Sequence, residues 1–106
     1  MINQGTPAFY NLAPVQIVVG AGSPGFIDTD CTIWGAPGGA LVMVMMVPSG
    51  VPADIGARAG GIDTHLTTSV TGVRTCYPVK ISSAKHCDLY RDTTYINYYY
   101  GMGYWQ

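Results

Sequence analysis

The sequence predicts an all-β domain, and three observations carry that prediction. Its 14 glycines and 7 prolines fall between short apolar runs rather than in one linker, the punctuation expected of many turns and short strands. Several windows alternate apolar with polar residues, or are short runs rich in Val, Ile, Thr and Tyr, as strands with one buried face require. No window carries an apolar stripe at i, i+3, i+4, i+7 of useful length, so no helix is expected. At 106 residues the chain is one domain's worth.

Taken in order, residues 1–13 contain Pro7 and run up to Pro14, and they are expected to form an extended arm able to pack on a neighbouring subunit. Residues 14–106 are then one domain. Val15 to Val19 reads as a strand, closed by the turn residues Gly20 to Gly25. Phe26 to Trp34 alternates, with Ile27, Thr29, Cys31 and Ile33 on one side and Asp28, Asp30 and Thr32 on the other. After Gly35 to Gly39 comes Leu41 to Val47, apolar on both faces. A central strand has that pattern when one face meets the core and the other a partner. Weaker strands follow at Asp54 to Ala59 and His65 to Val70, divided by Gly60 and Gly61, and then at Val73 to Ile81. Pro78 marks the last of these as an edge or bulged strand. His86 to Arg91 and a tyrosine-rich final strand complete the set; in the latter, Tyr95, Asn97 and Tyr99 face one way and Ile96, Tyr98 and Tyr100 the other. Gly101 and Gly103 then permit a bulge or a close approach before Tyr104 and Trp105. This makes about eight short antiparallel strands, the pattern of a sandwich, jelly roll or small barrel.

Composition narrows the function. Only 10% of residues are charged and the net charge is -1, against roughly 25% charged in an ordinary domain. So bare a surface often adjoins another protein. Without clustered Lys or Arg the electrostatic footprint of a nucleic-acid binder is missing, and no apolar run approaches the length of a membrane span. The N-terminus has neither a positive n-region nor a continuous apolar h-region, so it does not read as a secretory signal. Cys31, Cys76 and Cys87 are odd in number and show no C-x-x-C pair. Buried free thiols are the expectation, with a Cys76–Cys87 disulfide as the alternative.

Constellations that could carry chemistry are few. All six acidic residues are Asp, a residue of turns and strand ends. Asp28 and Asp30 lie two apart on a strand, about 7 Å from one another on one face, within reach of a hard cation or of acid/base work. In His86-Cys87-Asp88 the middle residue points away from its neighbours, and the Cys and His spacings match no zinc pattern. Cys76 or Cys87 with His65 could in principle serve nucleophilic catalysis, yet no nucleophile elbow, P-loop or dinucleotide fingerprint is present. No cofactor, metal or catalytic residue is therefore expected. The least ordinary stretch is Tyr95 to Trp105: its aromatics suit a core, a subunit interface or a stacking platform for sugars. Met43, Met45 and Met46 likewise suit a core or an adaptable interface.

The succession Ala53 to Arg58, a Gly-Gly turn, Ile62 to Leu66, two further strands and the closing Gly101-Met102-Gly103-Tyr104-Trp105 resembles small β-sandwich structural proteins of tailed bacteriophages, the capsid decoration (cement) proteins and head or tail fibre modules. The resemblance covers roughly residues 40–106 and is one of order and texture. It implies a jelly-roll-like sandwich that forms a homotrimer, sits on the virion surface and binds the major capsid protein or another virion protein without catalysis. The short chain favours a decoration protein over a fibre. Expected interface residues are Pro7, Phe9 and Tyr10 in the arm, Met43 and Met45, and Tyr98, Tyr100, Tyr104 and Trp105. The alternative is a carbohydrate-binding sandwich, or a fibre or receptor-binding domain, using the C-terminal aromatics with an Asp to fix sugar hydroxyls.

Overall fold

A computed structural model describes residues 8–106. These form nine strands: β1 (Phe9–Asn11), β2 (Gln16–Val19), β3 (Gly25–Asp30), β4 (Leu41–Pro48), β5 (Ala53–Ala59), β6 (Ile62–Ser69), β7 (Thr75–Lys80), β8 (His86–Arg91) and β9 (Asn97–Trp105), with a single 3-10 turn at Thr32–Trp34. One sheet has the order β1-β9-β4-β7 with β2 also on β9; the other has the order β3-β8-β5-β6. The pairing is nested: β2 with β9, β3 with β8, β4 with β7 and β5 with β6, all antiparallel. A long hairpin rolled up on itself gives that order, which makes the domain a β-sandwich of the jelly-roll kind. The expected fold class is therefore correct, and the strand order, which periodicity does not encode, is now defined.

Local chemistry explains where the elements differ from the sequence pattern. The strand expected over Phe26 to Trp34 stops at Asp30 because the Asp30 carboxylate accepts hydrogen bonds from the backbone N–H (2.9 Å) and hydroxyl (2.5 Å) of Thr32. This side-chain turn competes with continued extension. The chain then makes its 3-10 turn and leaves it through Gly35, whose φ of 84° is left-handed. As a result Trp34 swings into the core, 2% exposed, while Ile33 is 58% exposed, the reverse of what alternation predicts. The Thr32 hydrogen bonds also hold the Asp30 carboxyl below the ordinary carboxylate range.

The expected arm is in part a strand of the sandwich. Phe9 to Asn11 pairs with Trp105 to Gly103, Leu12 packs against the core, and Pro14 separates β1 from β2 along the same edge of β9. Residues 9–12 of the expected arm thus belong to the sandwich, and residues 1–7 of it lie outside the described residues. Pro78 does lie on an edge strand, β7, opposite Met43, where its missing N–H costs no ladder bond.

The core is built from alternate residues of both sheets: Val42, Val44, Met46, Val79 and Tyr99 from one, Ile55, Ala57, Cys87 and Leu89 from the other, with Trp34 and Ile81. Tyr99 is fully buried, and its hydroxyl donates to the carbonyl of Tyr90 at 2.7 Å. Burial pushes its pKa up to about 12 despite hydrogen bonds from Gly56 and Asn97 and to Tyr90. Beside it the buried Asn97 donates to the carbonyls of Asp54 (2.8 Å) and Tyr90 (3.2 Å). Asn97 and Tyr99 belong to β9 and their acceptors to β5 and β8, so these bonds tie one sheet to the other.

Candidate interaction face

The two outer surfaces of the sandwich differ in chemistry. On the five-stranded sheet, Leu41, Met43, Met45 and Val47 alternate with the buried Val42, Val44, Met46 and Pro48, so they point away from the core. Tyr98 and Tyr100 of β9 stand opposite Val47 and Met45, Val18 and Gln16 of β2 stand opposite Tyr98 and Tyr100, and Cys76 and Pro78 of β7 stand opposite Met45 and Met43. The result is a continuous apolar and aromatic face, and a shallow depression of about 280 Å³ on it is lined by Pro14, Met45, Val47, Arg74, Tyr100 and Met102. Gln16 donates to the Tyr100 hydroxyl at 2.8 Å and steadies that ring. None of the six aspartates lies there: five belong to the strands of the other sheet and Asp92 is buried in the β8–β9 connection.

A bulge decides which aromatics join this face. The β4–β9 register shifts between Met43 and Val44, so that Met43 opposes Gly103 and Val44 opposes Gly101, leaving Met102 unpaired. The shift reverses the parity of everything after it. Trp105 therefore comes out opposite Leu41, with Phe9 against it at 4.8 Å and 57°, whereas Tyr104 lies opposite the buried Val42 and packs against the core. Tyr10 stacks on Tyr104 at 5.2 Å and 23°. Of the expected interface residues, then, Phe9, Met43, Met45, Tyr98, Tyr100 and Trp105 share one face, Tyr10 and Tyr104 form a separate pair on the opposite side of the sheet, and Pro7 lies outside the described residues. Sequence parity missed Met102, Val18 and Val47. Val47 was within reach, as the last residue of the run that is apolar on both faces.

The four-stranded sheet presents polar chemistry. Asp28 lies opposite Asp88, and Asp30 opposite His86. Nδ1 of His86 is 3.2 Å from Oδ1 of Asp28, Nε of Arg58 donates to Oδ2 of Asp88 at 2.8 Å, and the Arg58 guanidinium sits 4.2 Å above the Phe26 ring. Asp28 and Asp30 do share a face, yet each is engaged separately, one by His86 and the other by Thr32. A cavity of about 530 Å³ at this end of the sandwich is lined by Asp28, Lys80, Ser82, Ser83, His86 and Asp88 among others. His86 and Asp88 point one way and Cys87 the other, into the core.

Among the described residues no three or more His, Cys, Asp or Glu side chains converge as a metal site would need. His65 stacks on Tyr77 at 4.4 Å and 11°, at the edge where β6 and β7 face one another across the sandwich. Cys76 is exposed on β7 and Cys87 is buried, so the Cys–His combinations weighed from sequence are not assembled by the fold. The exposure of Cys76 corrects the expectation of three buried thiols, and the fold places it on the opposite side of a core sheet from Cys87, which removes the Cys76–Cys87 pairing. Comparison with protein-family models, with curated proteins and with solved structures finds no match to this chain.

Proposed function

We propose that this protein is a non-enzymatic structural protein of a virion, a capsid decoration protein that self-associates as a trimer and stabilises the head by bridging capsid subunits. The observation that carries the reading is the outer face of the five-stranded sheet, where Leu41, Met43, Met45, Tyr98, Tyr100 and Trp105 are left without a covering layer. Water-facing apolar surface of this extent stabilises whatever removes it from water, and aromatic and methionine side chains are those enriched at protein interfaces. A second copy of the chain is the first partner: it brings the same carboxylate-free surface, whose charges, Arg74 and Lys80, both belong to or adjoin the edge strand β7, so the apolar centre can be covered without burying an unpaired charge.

The assignment to a virion draws on the sequence resemblance over residues 40–106 and on the jelly-roll order of the strands, an architecture shared by viral capsid and lectin domains. Fold alone does not fix function. On a capsid the mechanism is mass action: copies that bind only the assembled shell stabilise it, and several weak contacts per trimer combine by avidity.

Replacing Met45 and Tyr100 together by aspartate tests the face. Both side chains are partly exposed, so the monomer stays folded, while two carboxylates buried unpaired weaken self-association by about 100-fold or more. Sedimentation velocity of the M45D/Y100D protein beside the parent reads this directly. Undiminished association would remove the face from the account.

The carbohydrate-binding reading has the aromatic surface in its favour, but the Asp it needs to hold sugar hydroxyls is absent from that surface. Trp34 is buried and Trp105 partly exposed at the face, so a ligand stacked on the face would perturb the Trp105 share of the tryptophan emission. It is expected to stay constant through titration with a broad glycan panel; a saturable change with any member would favour the alternative.

A further inference from the structure

We propose that Cys31 and Cys87 are a thiol pair that the fold brings together and that closes into a disulfide when the chain folds in an oxidising environment, locking the sandwich, while Cys76 takes no part. The inference does not depend on the proposed function. Cys31 lies between β3 and the 3-10 turn, and its backbone N–H donates to the carbonyl of Lys85 at 2.8 Å, next to the start of β8. Cys87 sits on β8 opposite Thr29 and points inward. The two sulfurs are 3.4 Å apart, and each residue is 1% exposed. A disulfide needs about 2.05 Å between sulfurs, and the two sulfurs are already in contact with one another within the core. Cys76 is outward on β7, in the other sheet, and no rotation of its side chain brings it to either partner.

The oxidant is a small-molecule disulfide of the glutathione class. One cysteine thiolate attacks it, forming a mixed disulfide and releasing one small thiol. The second cysteine thiolate then attacks the protein sulfur of that mixed disulfide, releasing the second small thiol. The protein loses two electrons and two protons, and the oxidant gains them. The hydrogen bond with Cys31, and then burial, push the Cys87 thiol far up, and thiols so protected react slowly. The step therefore belongs to folding, when both sulfurs are accessible, rather than to the finished sandwich. The closed bond spans 56 positions of sequence and encloses β4 to β7, so it restricts the unfolded chain strongly.

The test is to refold the full chain in a glutathione redox buffer and, in parallel, under reducing conditions. Free thiols are then blocked with iodoacetamide and the protein is digested with trypsin without reduction. Cleavage after Arg58, Arg74, Lys80, Lys85 and Arg91 leaves the three cysteines in separate peptides. Expected in the oxidised sample are one cross-linked peptide pair containing Cys31 and Cys87, an alkylated Cys76, and a Tm roughly 10 °C or more above that of the reduced sample. In the reduced, folded protein only Cys76 reacts promptly with the alkylating agent. Failure to form the bond, a bond through Cys76, or oxidation without a rise in Tm would overturn the proposal. A Cys76→Ser variant repeats the experiment without intermolecular pairing and is expected to give the same lock.

Discussion

Substituting valine for Gly101 is expected to lower the stability of the domain by about 3 kcal/mol, the upper end of what overpacking a core costs, because the neighbour it meets cannot relax. A Cβ at this position would lie 2.7 to 2.9 Å from Cγ, Cδ2 and Cβ of Trp34. The indole cannot withdraw: it is 2% exposed, and the 3-10 turn that carries it is closed by the Trp34 N–H to Cys31 carbonyl and Gly35 N–H to Thr32 carbonyl bonds, both 3.0 Å. For a domain of this size the fall in Tm is on the order of 10 °C or more, accompanied by a red shift of tryptophan emission as Trp34 meets water. Gly20→Ala is the matched control, since nothing lies within 4 Å of the added carbon, and its effect should stay within about 0.5 kcal/mol. Equal stability of Gly101→Val and the control would mean that Trp34 does not pack on β9.

Asp92→Ala is expected to cost about 2 to 4 kcal/mol, the loss that follows when three partly buried N–H groups lose one shared acceptor. Asp92 is 6% exposed. One carboxylate oxygen accepts from the N–H of Asp54 and the other from those of Thr94 and Tyr95, each at 2.8 Å. The side chain thereby shapes the β8–β9 connection and fastens it to β5, immediately before Asn97 and Tyr99 make their own bonds to that sheet. Burial alone pushes the carboxyl upward, but the N–H donors outweigh it and hold its pKa below the ordinary value of 3.8.

The sign of the pH dependence follows from that depression. A carboxyl with a lower pKa in the folded than in the unfolded chain contributes stability that is fully present above the unfolded value and is lost as pH falls through the folded one. Urea melts between pH 6 and pH 2 should therefore show stability falling below about pH 4, with a shallower fall in Asp92→Ala. A parallel pH profile in the variant would assign the acid sensitivity to other groups.

Much of the fold was legible in the residues because alternation and turn chemistry act locally. Val42, Val44 and Met46 against Met43 and Met45, or Tyr99 against Tyr98 and Tyr100, have their sides set by a period of two, and the glycines of the final strand announced the irregularity there. What was illegible arises from non-local choices. Whether β9 pairs with β2 and β4 depends on how the whole chain rolls up, and strands of similar composition do not encode that order. The side of Tyr104 depends on a single unpaired residue, Met102, whose placement is settled by Trp34 covering Gly101 and Phe9 covering Gly103. Ile33 and Trp34 exchanged places because one aspartate, Asp30, caps its own turn. The approach of Cys31 to Cys87 likewise exists only once β3 and β8 are paired.

The most direct test of the central claim is the solution mass of the purified protein by light scattering, across a concentration series under reducing conditions, run beside M45D/Y100D. The account predicts a mass rising with concentration to a plateau at three times the 11.3 kDa of the chain, and a variant that stays monomeric while folded. A plateau at twice the chain mass would keep the face and overturn the trimer. A parent protein that remains monomeric at every concentration, or an assembly that the variant leaves intact, would contradict self-association through the outer face of the five-stranded sheet.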